Sequence, residues 1–184
     1  RFSRSAAFRR MNLGFYIIMA AQFFSALADN ALLIAAIAML RDIQSPAQYE
    51  PLLKLFFTVS YVALAAFVGA FADSMAKGRV MFISNSIKIT GCFMLLVATV
   101  PALDLLGIPL HYYVLLSYGV VGLGAAAYSP AKYGILTEYL PHDKLVIANG
   151  WIEGLTVAAI ILGTVLGDVL INPTISGFLL LFED

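Results

Sequence analysis

The chain reads as an all-α membrane protein, an N-terminal bundle of membrane-crossing helices, and three features carry that reading. Its residues are 61% hydrophobic and only 12% charged, against roughly 45–50% and 25% in soluble domains. Several apolar runs reach the about 20 residues that a helix needs to cross a hydrocarbon layer of about 30 Å. Inside those runs stand a few ionisable side chains, Asp29, Lys88, Lys132 and Glu153, where a charge is costly unless it is paired or wetted.

Taken in order, the first predicted span covers 11–40 and ends in a polar, proline-containing turn, Arg41 to Pro46. Four arginines, Arg1, Arg4, Arg9 and Arg10, precede it; the apolar run far exceeds the roughly 7–15 residues of a signal-peptide core, so it is read as a spanning helix. Span two covers 52–72, and the charged hairpin Asp73 to Arg79 leads into span three, 80–100, which stops at Pro101. Span four, 110–140, passes through Pro130, where a missing backbone donor predicts a kink. Span five covers 145–171, and a sixth apolar stretch starts at 175 and is cut off at 184. The whole chain is therefore expected to be the N-terminal transmembrane bundle of a longer protein, with five complete spans and the start of a sixth.

Basic residues in the short loops set the orientation. The N-terminal arm, Lys77, Arg79 and Lys144 fall on one side, against Arg41 and Lys54 on the other, which predicts a cytoplasmic N-terminus. Two glycine pairs in span five, Gly150 with Gly154 and Gly163 with Gly167, have the spacing that lets helices approach closely in lipid.

Composition also excludes functions. Eleven basic and eleven acidic residues cancel, so no basic field for nucleic acid exists. Cys92 is the single cysteine, and His111 and His142 sit singly in predicted turns, so neither a disulfide framework nor a metal site is expected. No phosphate-binding lysine loop, zinc-protease helix or nucleophile elbow occurs, so no catalytic residue, no cofactor and no enzyme activity are predicted.

The buried charges are what remains. Asp29, with Asn30 beside it and Gln22 two turns earlier, lies near the middle of span one. Lys132 follows the Tyr128-Ser129-Pro130 bend of span four, the kind of site that lines polar cavities in membranes; snorkelling to the interface is its other reading. Asn149 and Glu153, four apart on span five, share a face, and a Lys132–Glu153 pair is within reach. Asp29 and Lys132 differ in depth by on the order of 15 Å at 1.5 Å rise per residue, too far for a direct bridge. Lys88, with Asn85 before it, is read as snorkelling from span three to the nearer interface.

Three stretches carry a family resemblance. GAFADSMAKGR at 69–79 looks like a degenerate form of the facilitator loop pattern G-x-x-x-D-x-x-G-R-[KR], with Ala76 in place of a glycine. AQFFSALADNAL at 21–32 and GLGAAAYSPAKYGIL at 122–136 make the match specific, and it continues to Gly167. Together they resemble the bacterial lysophospholipid transporters of the major facilitator superfamily.

That resemblance implies twelve spans in two six-helix bundles, so a C-terminal six-helix bundle is the expected partner. It implies a lysophospholipid substrate, such as lysophosphatidylethanolamine, moved from the outer to the inner leaflet of the bacterial inner membrane, and functional coupling to an acyltransferase that re-acylates it. Spans one and four would line the cavity, making Asp29, Asn30, Tyr128, Lys132, Glu153 and Gln22 the substrate residues. Asp73, Lys77 and Arg79 would be the gate. Two other readings stay open: a proton-driven facilitator exporter of drugs or metabolites, and a non-transporting membrane partner of an acyltransferase.

Overall fold

The structure, a computed structural model, describes residues 13–99, 107–173 and 175. Five helices follow one another: α1 (Leu13–Asp42), α2 (Tyr49–Asp73), α3 (Lys77–Val97), α4 (Leu110–Tyr139) and α5 (His142–Ile171). Helices α1, α3, α4 and α5 are each long and apolar enough to cross a membrane, and α2 makes a fifth when its parts Tyr49–Leu64 and Phe67–Asp73 count as one span. The protein is thus an all-helical, multi-pass membrane protein. Of the expected sixth stretch only Ile175 lies among the described residues, and the N-terminal arginines and Pro101 lie outside them.

Local chemistry fixes the helix ends. The backbone of α1 reverses at Gln44, which has a φ of 53°; Ser45 N then donates to Leu40 O and Gln44 N to Arg41 O, each at 2.9 Å, satisfying carbonyls that a helix end leaves open. Arg41 donates from Nε and Nη2 to the two carboxylate oxygens of Glu50 at 2.9 and 3.0 Å, a two-pronged link from α1 to α2. The hydrogen bond from Arg41 holds the Glu50 carboxyl below its usual range. Helix α3 opens at Lys77, three residues before the expected 80, so the charged hairpin is shared between two helices. Pro109 and Pro141 stand immediately before α4 and α5, where the missing N–H removes no helical hydrogen bond. Pro130 lies inside α4, which runs as one helix through it.

Packing follows from small residues. The closest-packed pairs are α3 with α4, α1 with α5, and α2 with α4. On α5, a Cβ added at Gly163 would strike the Leu27 carbonyl oxygen of α1, and one at Gly167 would lie 2.9 Å from Ala31 O. On α4, a Cβ at Gly122 would come within 2.9 Å of the Phe57 Cα of α2. With no cohesive water to drive helices together in lipid, such close backbone approach supplies the dispersion contact that holds them. Gly150 and Gly154 meet nothing within 4 Å, so of the two predicted glycine seams only the second is made among the described residues.

The bundle is apolar outside and holds apolar clusters inside. Ile17, Phe24, Val62, Phe82 and Phe93 are exposed, as lipid-facing side chains should be. Ala36, Leu40, Leu53, Val114, Leu115 and Val121 belong to an apolar cluster at one end. Phe15, Met19, Leu136, Leu140, Ala148 and Ile152 form another at the opposite end. Hydroxyls in the helices bond back to their own backbone, Ser84 to Val80 O, Ser117 to Tyr113 O and Thr164 to Ile160 O, which satisfies them where no water is available.

Candidate functional site

Among the helices lies a cavity of about 360 Å³, inside the roughly 300–1,000 Å³ range of small-molecule sites. Residues spaced three and four apart share one helical face, and so Gln22, Ser25, Asp29 and Leu33 of α1 all line it, facing Ala125, Tyr128, Ser129 and Lys132 of α4. Asn30, also predicted, is in the lining, although its Nδ2 donates to Ala26 O of its own helix at 2.8 Å. Glu153 is not part of the lining; it stands behind Lys132, with Oε1 3.8 Å from the ammonium.

Asp29 is the main correction to the sequence reading. Its Oδ2 accepts from Lys88 Nζ at 2.6 Å, and Ser25 Oγ accepts from the same ammonium at 2.9 Å. Lys88 is therefore not a snorkelling side chain: it is buried, with 8% of its surface exposed. The error was one of depth. Lys88 stands eleven residues beyond Lys77 in a 21-residue helix, halfway through the membrane and level with Asp29. Gly124 of α4 makes the passage, since a Cβ there would lie 2.7 Å from Lys88 Cγ. The ammonium also lies 5.3 Å from the centre of the Tyr128 ring, a further site of attraction for a desolvated cation.

Lys132 is placed differently. It is 6% exposed, its Nζ lies 4.6 Å from the centre of the Tyr133 ring, and its carboxylate neighbour Glu153 is the acceptor for Tyr133 Oη at 2.5 Å. At 3.8 Å the Lys132–Glu153 contact is an ion pair without a hydrogen bond. Among the described residues no salt bridge or hydrogen bond joins Asp29 to Lys132, as the depth arithmetic anticipated.

Two polar atoms of the lining residues, Tyr128 Oη and Gln22 Oε1, are buried without a hydrogen-bond partner among the described residues. Buried polar groups are nearly always bonded, so these two atoms give the lining hydrogen-bonding capacity that the described residues leave unused. The other end of the Gln22 amide is fixed, Nε2 donating to Thr156 Oγ1 at 3.3 Å. Lys54, Thr58 and Tyr61 of α2 complete the wall. In charge the lining holds one carboxylate, Asp29, against three ammonium groups, Lys54, Lys88 and Lys132.

At the α2–α3 hairpin, Lys77 Nζ donates to Asp73 Oδ1 at 2.5 Å and to Ala72 O at 2.9 Å. Its stem lies against Gly134 of α4, where an added Cβ would be 3.0 Å from Lys77 Cε. Arg79 is exposed and makes no ion pair among the described residues. Sequence reasoning missed Lys88, Lys54, Ser25 and Thr156 as members of the site. Only Lys88 left a signal: a lone carboxylate at mid-membrane requires a cation from another span, and away from the span ends only spans three and four supplied one.

Five apolar helices, with a small and charged cavity among them, define a multi-pass membrane protein. The chain belongs to the Major Facilitator Superfamily, whose family model matches residues 18–182. It is similar to the lysophospholipid transporter LplT of Yersinia enterocolitica, 45% identical over 160 residues, which are 87% of this chain and 36% of that protein. The Klebsiella pneumoniae LplT is 44% identical over 157 residues, 85% of this chain and 36% of the relative. The Yersinia pestis LplT is 44% identical over 153 residues, 83% and 34%. The chain thus spans about a third of the length of these relatives. No solved structure matches it significantly.

Proposed function

We propose that this chain is the N-terminal bundle of a lysophospholipid transporter, which carries lysophosphatidylethanolamine or a similar lipid from the outer to the inner leaflet of a bacterial inner membrane. The observation that carries the reading is the charged lining between α1 and α4, in which Lys132 and the unbonded Tyr128 Oη, one helical turn apart on α4, both stand. A phosphate needs a cation and a donor at short range, and this pair offers both. The likeness to three proteins named as lysophospholipid transporters supports the substrate class. The single acyl tail remains in lipid through a lateral opening while the headgroup enters.

In this reading Lys132 holds the phosphate, Gln22 and Tyr128 hydrogen-bond the headgroup, and Asp29, with Asn30, bounds the site at the level of α1. Glu153 tunes the Lys132 charge from behind. Asp73, Lys77 and Arg79 bias the bundle between its two open states, against a C-terminal six-helix bundle, with the N-terminus cytoplasmic. A lysophospholipid acyltransferase consumes the delivered lipid. An exporter that uses Asp29 as a proton site is supported less, because Lys88 already holds that carboxylate.

The test is uptake of labelled lysophosphatidylethanolamine into spheroplasts that express the complete gene encoding this chain, with and without an uncoupler that collapses the proton gradient. Uptake that survives the uncoupler is expected. Absence of uptake from well-inserted protein would overturn the substrate assignment, and uptake abolished by the uncoupler would favour the proton-driven reading.

A further inference from the structure

We infer that Lys88 sets headgroup selectivity: by holding Asp29 it cancels the one negative charge of the cavity, so that the ligand's phosphate, not its ammonium, is the group recognised. This inference rests on the lysophospholipid reading above and deepens it.

The arrangement is built, not incidental. The Lys88 stem crosses between α3 and α4 only because Gly124 has no side chain. Its ammonium ends on Asp29 Oδ2 at 2.6 Å and Ser25 Oγ at 2.9 Å, and Ser25 in turn donates to Asn85 Oδ1 at 3.4 Å. The side chains of Lys88 and Asp29 are 10% and 18% exposed, so water screens the pair little and each charge strongly governs the other. A ligand ammonium arriving at Asp29 meets a carboxylate whose partner is tethered beside it. A ligand phosphate meets Lys132, whose only carboxylate neighbour among the described residues is 3.8 Å away and mostly exposed.

The charge count then makes an ordered prediction for four proteins. Removing the lysine with Lys88→Gln frees the Asp29 carboxylate and draws the cavity toward ammonium-bearing headgroups. Removing the acid with Asp29→Asn leaves Lys88 unopposed and draws it toward anionic ones. Removing both, Asp29→Asn with Lys88→Gln, restores the original balance. A role confined to folding would lower all uptake without this ordering.

The experiment measures uptake of lysophosphatidylethanolamine and lysophosphatidylglycerol, whose headgroups differ in the ammonium, by the complete protein and these three variants, normalised to the amount inserted. The ratio of the first lipid to the second should rise at least about tenfold in Lys88→Gln and fall by a similar factor in Asp29→Asn, since charges in a site of low dielectric differ by that much or more. The double variant should return to within about threefold of wild type. Should Lys88→Gln fail to insert, the step from Asp29→Asn to the double variant still reads the effect of Lys88. A ratio that stays unchanged across the inserted variants, while wild-type uptake is normal, overturns the role of Lys88 alone. No uptake of either lipid by inserted wild type overturns the transport reading, and this inference with it.

Discussion

Gly163→Ala is a one-carbon change whose consequence can be worked from the α1–α5 seam. The added Cβ strikes the Leu27 carbonyl oxygen and lies 3.0 Å from Asn30 Cβ and 3.1 Å from the Leu27 carbonyl carbon. Two of these three are backbone atoms, so no rotamer change relieves the clash, and α5 must move off α1. Overpacking of this kind costs about 1–3 kcal/mol, which at about 2–4 °C per kcal/mol for a chain of this size lowers the melting midpoint by about 2–12 °C. Asp29 is two residues from Leu27, and a displacement on the order of 1 Å would stretch its 2.6 Å bond to Lys88 beyond hydrogen-bonding range. Gly119→Ala is the matched control, because a Cβ there meets only the Phe56 ring and Cβ, at 3.6 and 3.8 Å, ordinary contact distances. Replacing a mid-helix glycine without a clash stabilises by roughly 0.5–1 kcal/mol, so its midpoint should hold or rise slightly. The assay is thermal unfolding of the detergent-purified protein, followed by the surviving monodisperse peak. Equal shifts for the two variants, or no loss for Gly163→Ala, would refute the close approach of α1 and α5.

Three further outcomes are expected. Tyr128→Phe removes a hydroxyl that has no partner among the described residues, so thermal stability should hold while the KM for the lipid rises by about tenfold to a hundredfold, the loss of one hydrogen bond to a charged group; a stability loss with unchanged KM would contradict a ligand role. Lys77→Ala removes the contacts to Asp73 and Ala72 O, and is expected to lower the transport rate without changing the headgroup ratio, measured by the same two-lipid uptake; a changed ratio would place Lys77 in recognition instead of gating. The Arg41–Glu50 link should be pH-sensitive. The folded-state Glu50 carboxyl lies below its usual range, so its contribution is present at neutral pH and above the unfolded value, and is lost as pH falls through the folded value. Protection of the 43–48 turn against hydrogen exchange, taken relative to the intrinsic rate at each pH, should fall in that acid window, and Glu50→Gln should already show the lower protection at neutral pH and no such step.

The fold was legible because its determinants are local. Apolar runs, the prolines at 46, 109 and 141 and the charged hairpin all act within a few residues, and the helices fall where those signals stand. A place in the cavity lining was legible for Gln22, Asp29, Asn30, Tyr128 and Lys132 because a polar side chain at membrane depth needs a reason, and all five line the cavity. What the sequence hid is partnership across helices. Lys88 lies 59 residues from Asp29, and its depth was misjudged because α3 begins at Lys77, inside a hairpin whose charges look like loop. The Gly150–Gly154 and Gly163–Gly167 pairs have identical spacing, and only the rotation of α5 about its axis, set by packing against α1, decides that the second makes the seam. Lys54 reads as a loop residue because it stands one turn into α2, yet it lines the same cavity.

The central claim, that a lysophospholipid headgroup occupies the cavity between α1 and α4, is tested most directly by photocrosslinking. A lysophosphatidylethanolamine with a photoreactive group on its headgroup is bound to the complete protein, illuminated, and the labelled peptides are identified by mass spectrometry. The account predicts labelling of the 125–132 segment of α4 and the 22–33 segment of α1, competed by unlabelled lipid and reduced by Lys132→Ala. Labels confined to outward-facing positions such as Phe82 and Phe93, with no competition, would contradict it.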